Sequence, residues 1–275
     1  MAATESAPAG AAVAPRRLVV VLADGLRADT ARRCMGYLLA LEEGGRARWA
    51  TLQCELPSLS RPLYATLISG RRPIDHGILS NAQVGLRCDD TLFDDLHARG
   101  LRSAVAAYDW FYELLAGTAF SPAHHRTAAC AQRGVVAGSW YFEDDYPDSH
   151  LLADAEDLRQ RHAPELLFVH PMGLDNAGHV HGGETAAYDL AARKLDMALA
   201  LLAPTWLAAG YDLVLTSDHG MSADRMHGGG AEAERAVPFV WVPCRDGAQA
   251  PPPHWPATQH ELRRFLAARV GADPR

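Results

Sequence analysis

The chain has 275 residues, 48% hydrophobic and 21% charged, a balance that supports a large buried core and excludes extensive disorder. A net charge of -7 and a pI near 6.0 offer no basic field for a nucleic-acid backbone. No stretch approaches the roughly 18 apolar residues that would cross a bilayer, so neither a nucleic-acid polymer nor a membrane is expected as a partner.

Residues 1–15 are rich in Ala, Pro and Ser and lead to Arg16-Arg17 without an apolar run resembling a signal sequence. They read as a flexible tail ahead of a single domain over 16–275. Cys34, Cys54, Cys88, Cys130 and Cys244 are odd in number and lack a CxxC pair, which argues against a disulfide framework and a thiolate zinc site. The expected location is cytoplasmic.

Leu18–Ala23 is a continuous apolar run, a buried strand stopped by Asp24-Gly25 before a helix expected over Asp29–Glu43. Asp24 therefore falls at a strand end, where it serves as a helix cap or a ligand. Trp49–Leu56 reads as a second strand. Pro57–Pro62 then leads into a helix through Tyr64, Leu67 and Ile68, closed by Gly70, which puts Ser60 near a helix N-terminus. Exposed amides and the helix dipole there would stabilise an alkoxide or a phosphate, although a Ser cap before a first-turn Pro has the same pattern.

The loop Arg71–Asn81 is too polar for a buried connector. Thr91–Arg99 is an amphipathic helix and Ser103–Ala107 a short strand. The aromatic cluster Tyr108–Tyr112 follows, as core or as a pocket wall. Residues 117–150 are the least regular; a small lid-like excursion is expected there, with His124-His125 and Glu143–Asp145 solvated. Leu151–His162 reads as a helix and Leu166–His170 as a strand.

Asp175 and His179 come next, four positions apart, so one turn of helix or a tight loop brings both to one side. After a helix over Thr185–Leu202, the run Tyr211–Leu215 delivers Asp218 and His219 ahead of Gly220. Side by side they offer the oxygen and nitrogen donors that Zn²⁺ takes. His227 follows, then a last strand, Val237–Val242, expected at a sheet edge because of Pro238 and Pro243. Pro251–Pro253 reads as a linker and His260–Val270 as a terminal helix. Strands alternating with helices give an α/β fold, a mostly parallel central sheet with helices on both faces. Ligands then gather at the C-terminal edge of the sheet.

The donors at these strand ends are Asp24, Asp175, His179, Asp218, His219 and His227, with a hydroxyl at Ser60. They suffice for two divalent ions and one nucleophile, the logic of two-metal phosphoryl transfer. In this order, the segments Val21–Gly25, Pro57–Pro62, Ser69–Asn81, Asp175–His179, Ser217–Met221 and His227–Gly229 resemble the alkaline phosphatase superfamily, specifically its nucleotide pyrophosphatase/phosphodiesterase branch.

The resemblance implies an alkaline-phosphatase-like fold and a metal-dependent phosphoester hydrolase, a phosphodiesterase/nucleotide pyrophosphatase-like enzyme acting on a small-molecule phosphate. It assigns Asp175, His179 and His227 to one zinc and Asp24, Asp218 and His219 to the other. Ser60 becomes the nucleophile that carries a covalent phosphoryl group, and Asn81 a donor to a phosphate oxygen, a role the Ser60 backbone N–H could share. The branch usually has a threonine nucleophile followed by an aromatic that stacks a nucleobase, where this chain has Ser60 and Arg61. Arg61 could instead pair with a second anionic group of the substrate or point into solvent. Trp110, Phe111 or Tyr112 could supply the stacking face.

A phosphomonoesterase, phosphonate hydrolase or metal-dependent phosphomutase would share the scaffold. A sulfatase fits less well, because Leu63-Tyr64 stands where its signature has Ser-Arg. A non-catalytic metal-binding protein would be expected to have lost a ligand or the nucleophile, and all are present. The sequence assigns no oligomeric state.

Overall fold

A computed structural model describes residues 16–245 and 254–272. The tail expected over 1–15 and the linker at Pro251–Pro253 lie outside the described residues. Seven strands form one sheet: β1 (Arg17–Leu22), β2 (Arg48–Gln53), β3 (Ser103–Tyr108), β4 (Val135–Tyr141), β5 (Leu166–Val169), β6 (Tyr211–Thr216) and β7 (Ala236–Val242), in the order β2-β7-β6-β1-β5-β3-β4. All neighbours pair in parallel except β7, which runs antiparallel to both β6 and β2. The expected α/β architecture, mostly parallel and covered on both faces, is the one observed.

The continuous apolar strands are explained by this double cover. Along β1, Leu18, Val20 and Leu22 pack with helices Ser60–Ser69, Leu92–His97, Asp109–Ala116 and Leu262–Arg269. Val19 and Val21 pack on the other face with helices Ala28–Cys34, Gly36–Glu43, Asp148–His162 and Ala186–Ala208.

Three elements differ from expectation. The helix over Asp29–Glu43 is two helices, broken at Met35, whose backbone leaves the helical region with ψ 72°. β7 lies inside the sheet, not at its edge: β2 pairs along it, and the Pro238 carbonyl accepts from Thr216 Oγ1 at 2.8 Å. Residues 117–150 contribute the edge strand β4, with Trp140 and Tyr141 fully buried. Its alternating exposure and internal Gly138 hide it from a search for apolar runs.

Candidate active site

β6, β1 and β5 are adjacent and parallel, so the chain leaves all three at one edge. Asp24 lies just beyond β1, Asp218 and His219 just beyond β6, and the helix Gly173–His181 with Asp175 and His179 just beyond β5. Gly25 makes the close approach possible. Its φ is +70°, its N–H donates to Asp218 Oδ1 at 3.2 Å, and a Cβ there would stand 3.0 Å from Asp175 Cα.

Each of the three expected histidine ligands has its Nδ1 on a backbone carbonyl: His219 on Gly220 at 2.8 Å, His227 on Ser58 at 2.8 Å, His179 on Arg225 at 2.9 Å. A carbonyl can only accept, so each Nδ1 carries the proton and each Nε2 turns a lone pair inward, the tautomer a metal requires. The His179 and His227 Nε2 atoms face each other at 3.2 Å, and the His219 and His227 rings stack at 3.6 Å between centroids. Without a shared cation, opposed lone pairs gain nothing from that approach.

The carboxylates show the same incompleteness. Asp24 Oδ1, Asp175 Oδ1 and Asp218 Oδ2 are buried and make no hydrogen bond. Burial raises Asp175 and Asp218 well above the ordinary carboxylate range, and the negative charge of Asp24 adds to both. At Asp24 burial acts the same way, but the His170 hydrogen bond and the His219 field outweigh it and hold the group below that range. Burial brings His219 down to about 3, with His227 reinforcing it, and lowers His227 as well. Neutral imidazoles and orphaned carboxylate oxygens around one small volume fit divalent cations. The ligand atoms converge as two groups, Asp175 with His179 and His227, and Asp24 with Asp175 and His219. Asp175 belongs to both, and Asp218 Oδ2 lies 3.2 Å from His219 Nε2.

Ser60 is the first residue of the helix Ser60–Ser69 and its Oγ lies 3.1 Å from His219 Nε2. Asn81 reaches the same helix start: its Oδ1 accepts from the Arg61 N–H at 3.0 Å, which leaves its NH₂ as a donor. Arg61 does not point into solvent: its guanidinium is fully buried, Nη1 is bound to Glu113 at 2.6 Å, the group lies 4.5 Å over the Trp110 ring, and Nη2 makes no hydrogen bond. Tyr112 turns away into a core cluster, stacked on His125 and edge-on to Trp140. Phe111 is fully buried against Tyr64, and Trp110 is half-buried.

Sequence reasoning passed over the groups that hold the ligands. His170 Nε2 and the Tyr64 hydroxyl both donate to Asp24 Oδ2, and Tyr141 OH donates to the His170 carbonyl at 2.7 Å. His170 was visible as a polar residue closing an apolar strand, the same signal that singled out Asp24. Tyr64 carried no such signal within its helix.

Fold and site together are the metal-dependent hydrolase scaffold of the alkaline phosphatase superfamily. Over residues 18–239 the chain matches the family described as type I phosphodiesterase / nucleotide pyrophosphatase, and it belongs to that family. It is 24% identical over 248 residues to GPI ethanolamine phosphate transferase 1 of Mus musculus, a match that covers 82% of this chain and 26% of the relative. The chain thus spans about a quarter of that relative's length.

Among solved structures it resembles the C-terminal periplasmic domain of EptC from Escherichia coli in complex with Zn, with a TM-score of 0.62, 16% identity, and coverage of 94% of this chain and 83% of that one. It also resembles murine ectonucleotide pyrophosphatase/phosphodiesterase 5, with a TM-score of 0.58, 17% identity, and coverage of 75% of this chain and 58% of that one. The cytoplasmic location expected from sequence is not upheld, since the structures the chain resembles include a periplasmic domain and an ectonucleotide pyrophosphatase/phosphodiesterase. That expectation rested on a missing apolar leader and unpaired cysteines, and neither feature reports where such a domain works. Among the described residues, no helix is long and apolar enough to cross a membrane.

Proposed function

We propose that the protein is a two-zinc phosphoester hydrolase acting on a small-molecule phosphate diester through a phospho-seryl intermediate at Ser60. The observation that carries this reading is the inward set of three Nε2 lone pairs and three orphaned carboxylate oxygens beside the Ser60 hydroxyl. Asp175, His179 and His227 would hold one ion and Asp24, Asp218 and His219 the other. Bound there, the ions would lower the pKa of a coordinated hydroxyl or water and draw charge from the phosphoryl oxygens.

Ser60 gives up its hydroxyl proton to solvent and forms the new bond to phosphorus as the bond to the leaving oxygen breaks, that oxygen taking a proton from solvent to depart as the alcohol. The Asn81 NH₂ and the Ser60 backbone N–H donate to oxygens whose charge grows in the transition state. Water then displaces Ser60 and returns its hydroxyl. Trp110, half-buried beside Arg61, offers an aromatic edge to the leaving group.

Relatives named as ethanolamine phosphate transferases favour a second reading, in which an acceptor hydroxyl replaces the water. The test is metal content together with initial rates on bis-p-nitrophenyl phosphate, p-nitrophenyl phosphate and an aryl sulfate, with and without an added alcohol acceptor. Two zinc ions, diester preference and water as acceptor support hydrolysis; phosphoryl transfer to the alcohol supports the second reading. Ser60→Ala should keep both ions and lose the covalent adduct seen by mass spectrometry; an undiminished rate in that variant would remove the phospho-seryl step.

A further inference from the structure

Beside the nucleophile lies a buried charge cluster that no metal ligand explains. The helix Asp109–Ala116 presents Trp110 and Glu113, three residues apart and so on one face. Both engage Arg61, Trp110 by its ring face at 4.5 Å and Glu113 by a 2.6 Å ion pair to Nη1. Arg61 in turn grips Asn81 twice, its Nε donating to the Asn81 carbonyl at 3.1 Å and its backbone N–H to Asn81 Oδ1 at 3.0 Å. Glu113 also accepts from the backbone N–H of Phe120 at 2.9 Å and of Gly85 at 3.4 Å, so it ties down both loops flanking this contact.

We infer that Glu113 is a positioning residue for the phosphate site: through Arg61 it holds Asn81 so that the amide NH₂, and not the carbonyl oxygen, faces the reacting phosphoryl group. This rests on Asn81 serving as the phosphate donor of the proposed hydrolase. An amide free to turn would lose part of its attraction for an anion to the entropy cost of holding the NH₂ forward. The grip holds the donor at both ends: the Arg61 backbone N–H commits Oδ1, and the guanidinium anchored by Glu113 fixes the Asn81 backbone from which the amide projects. Arg61 thus commits Nη1 to Glu113 and Nε to the Asn81 carbonyl, and through these contacts acts on the phosphate donor.

The experiment measures inhibition by inorganic phosphate and kcat on bis-p-nitrophenyl phosphate for the zinc-loaded enzyme and for Asn81→Ala, Glu113→Gln and the double variant, with zinc content determined for each. Glu113→Gln should keep both zinc ions yet weaken phosphate binding and lower kcat on the order of tenfold, the scale of one hydrogen bond to a charged group. In the Asn81→Ala background the Glu113 change should add nothing further. Losses that multiply in the double variant, or an unchanged phosphate constant in Glu113→Gln, would overturn the inference while leaving the Asn81 role intact. An unchanged phosphate constant in Asn81→Ala would overturn the Asn81 role and the inference with it. Because Glu113→Gln leaves a buried guanidinium without its counter-ion, Arg61→Met with Glu113→Leu provides a charge-free control for folding. It should fold, bind zinc and show the same loss of phosphate affinity.

Discussion

Asp24 Oδ2 accepts a hydrogen bond from His170 Nε2 at 3.1 Å, and the Tyr64 hydroxyl donates to the same oxygen. Only Oδ1 is left to face the candidate metal site, where it makes no hydrogen bond. Sequence position alone gives Asp24 two equivalent oxygens; the pairing with His170 makes them different.

That difference can be measured. Removing a group that orients a ligand commonly weakens a metal about 10- to 100-fold. His170→Ala and Tyr64→Phe should each release zinc at lower chelator concentration than the parent protein by a factor in that range, read by competition with a chromophoric chelator. The circular dichroism spectrum should be unchanged. A folded His170→Ala protein with undiminished zinc affinity would show that Asp24 is not held through Oδ2.

The two candidate sites differ in exposure, and chelation should separate them. The His179 side chain is 42% exposed, whereas those of Asp24, Asp218 and His219 are 0% exposed. Chelator should therefore remove one equivalent of metal quickly and a second slowly. The second phase should bring the larger fall in melting temperature, because it strips the cation from carboxylates that burial already penalises. His179→Ala should abolish the fast phase and keep the slow one; a single phase in both proteins would contradict the assignment.

The legible parts of the site were the residues whose chemistry interrupts an apolar pattern. Asp24, Asp218 and His219 end continuous strands, and the parallel sheet sets β1 and β6 side by side, so a strand-end rule found them together. The Asp175–His179 spacing was likewise read through helix geometry, and both lie on the helix Gly173–His181. Long-range pairing was not legible. Glu113 lies 52 positions from Arg61, and nothing local marks it as the partner of a guanidinium. A free Arg61 beside the nucleophile looked like a substrate contact because charge in a sequence carries no information on burial. The interior position of β7 was hidden for a similar reason: a proline argues for an edge only when the neighbouring strand needs its N–H.

Asp109 provides a test of the buried cluster by pH. Burial, with Glu113 nearby, raises its carboxyl from 3.8 to about 7, against the opposing pull of Arg61, and its Oδ1 has no hydrogen bond. Because the folded state holds this proton more tightly than the unfolded chain, the native state binds more protons between pH 4 and 7, and stability falls across that window as pH rises. The penalty is absent below the unfolded value of 3.8 and complete above about 7. Solvent at the exposed edge of the side chain screens it to about 1–2 kcal/mol. Asp109→Asn cannot ionise, so it should be more stable than the parent by that amount at pH 8 and indistinguishable from it at pH 4. Urea denaturation of the two proteins, compared at each pH, gives the difference directly. A gain equal at both pH values would come from packing, and a loss at pH 8 would mean that the ionised carboxylate is a working partner of Arg61.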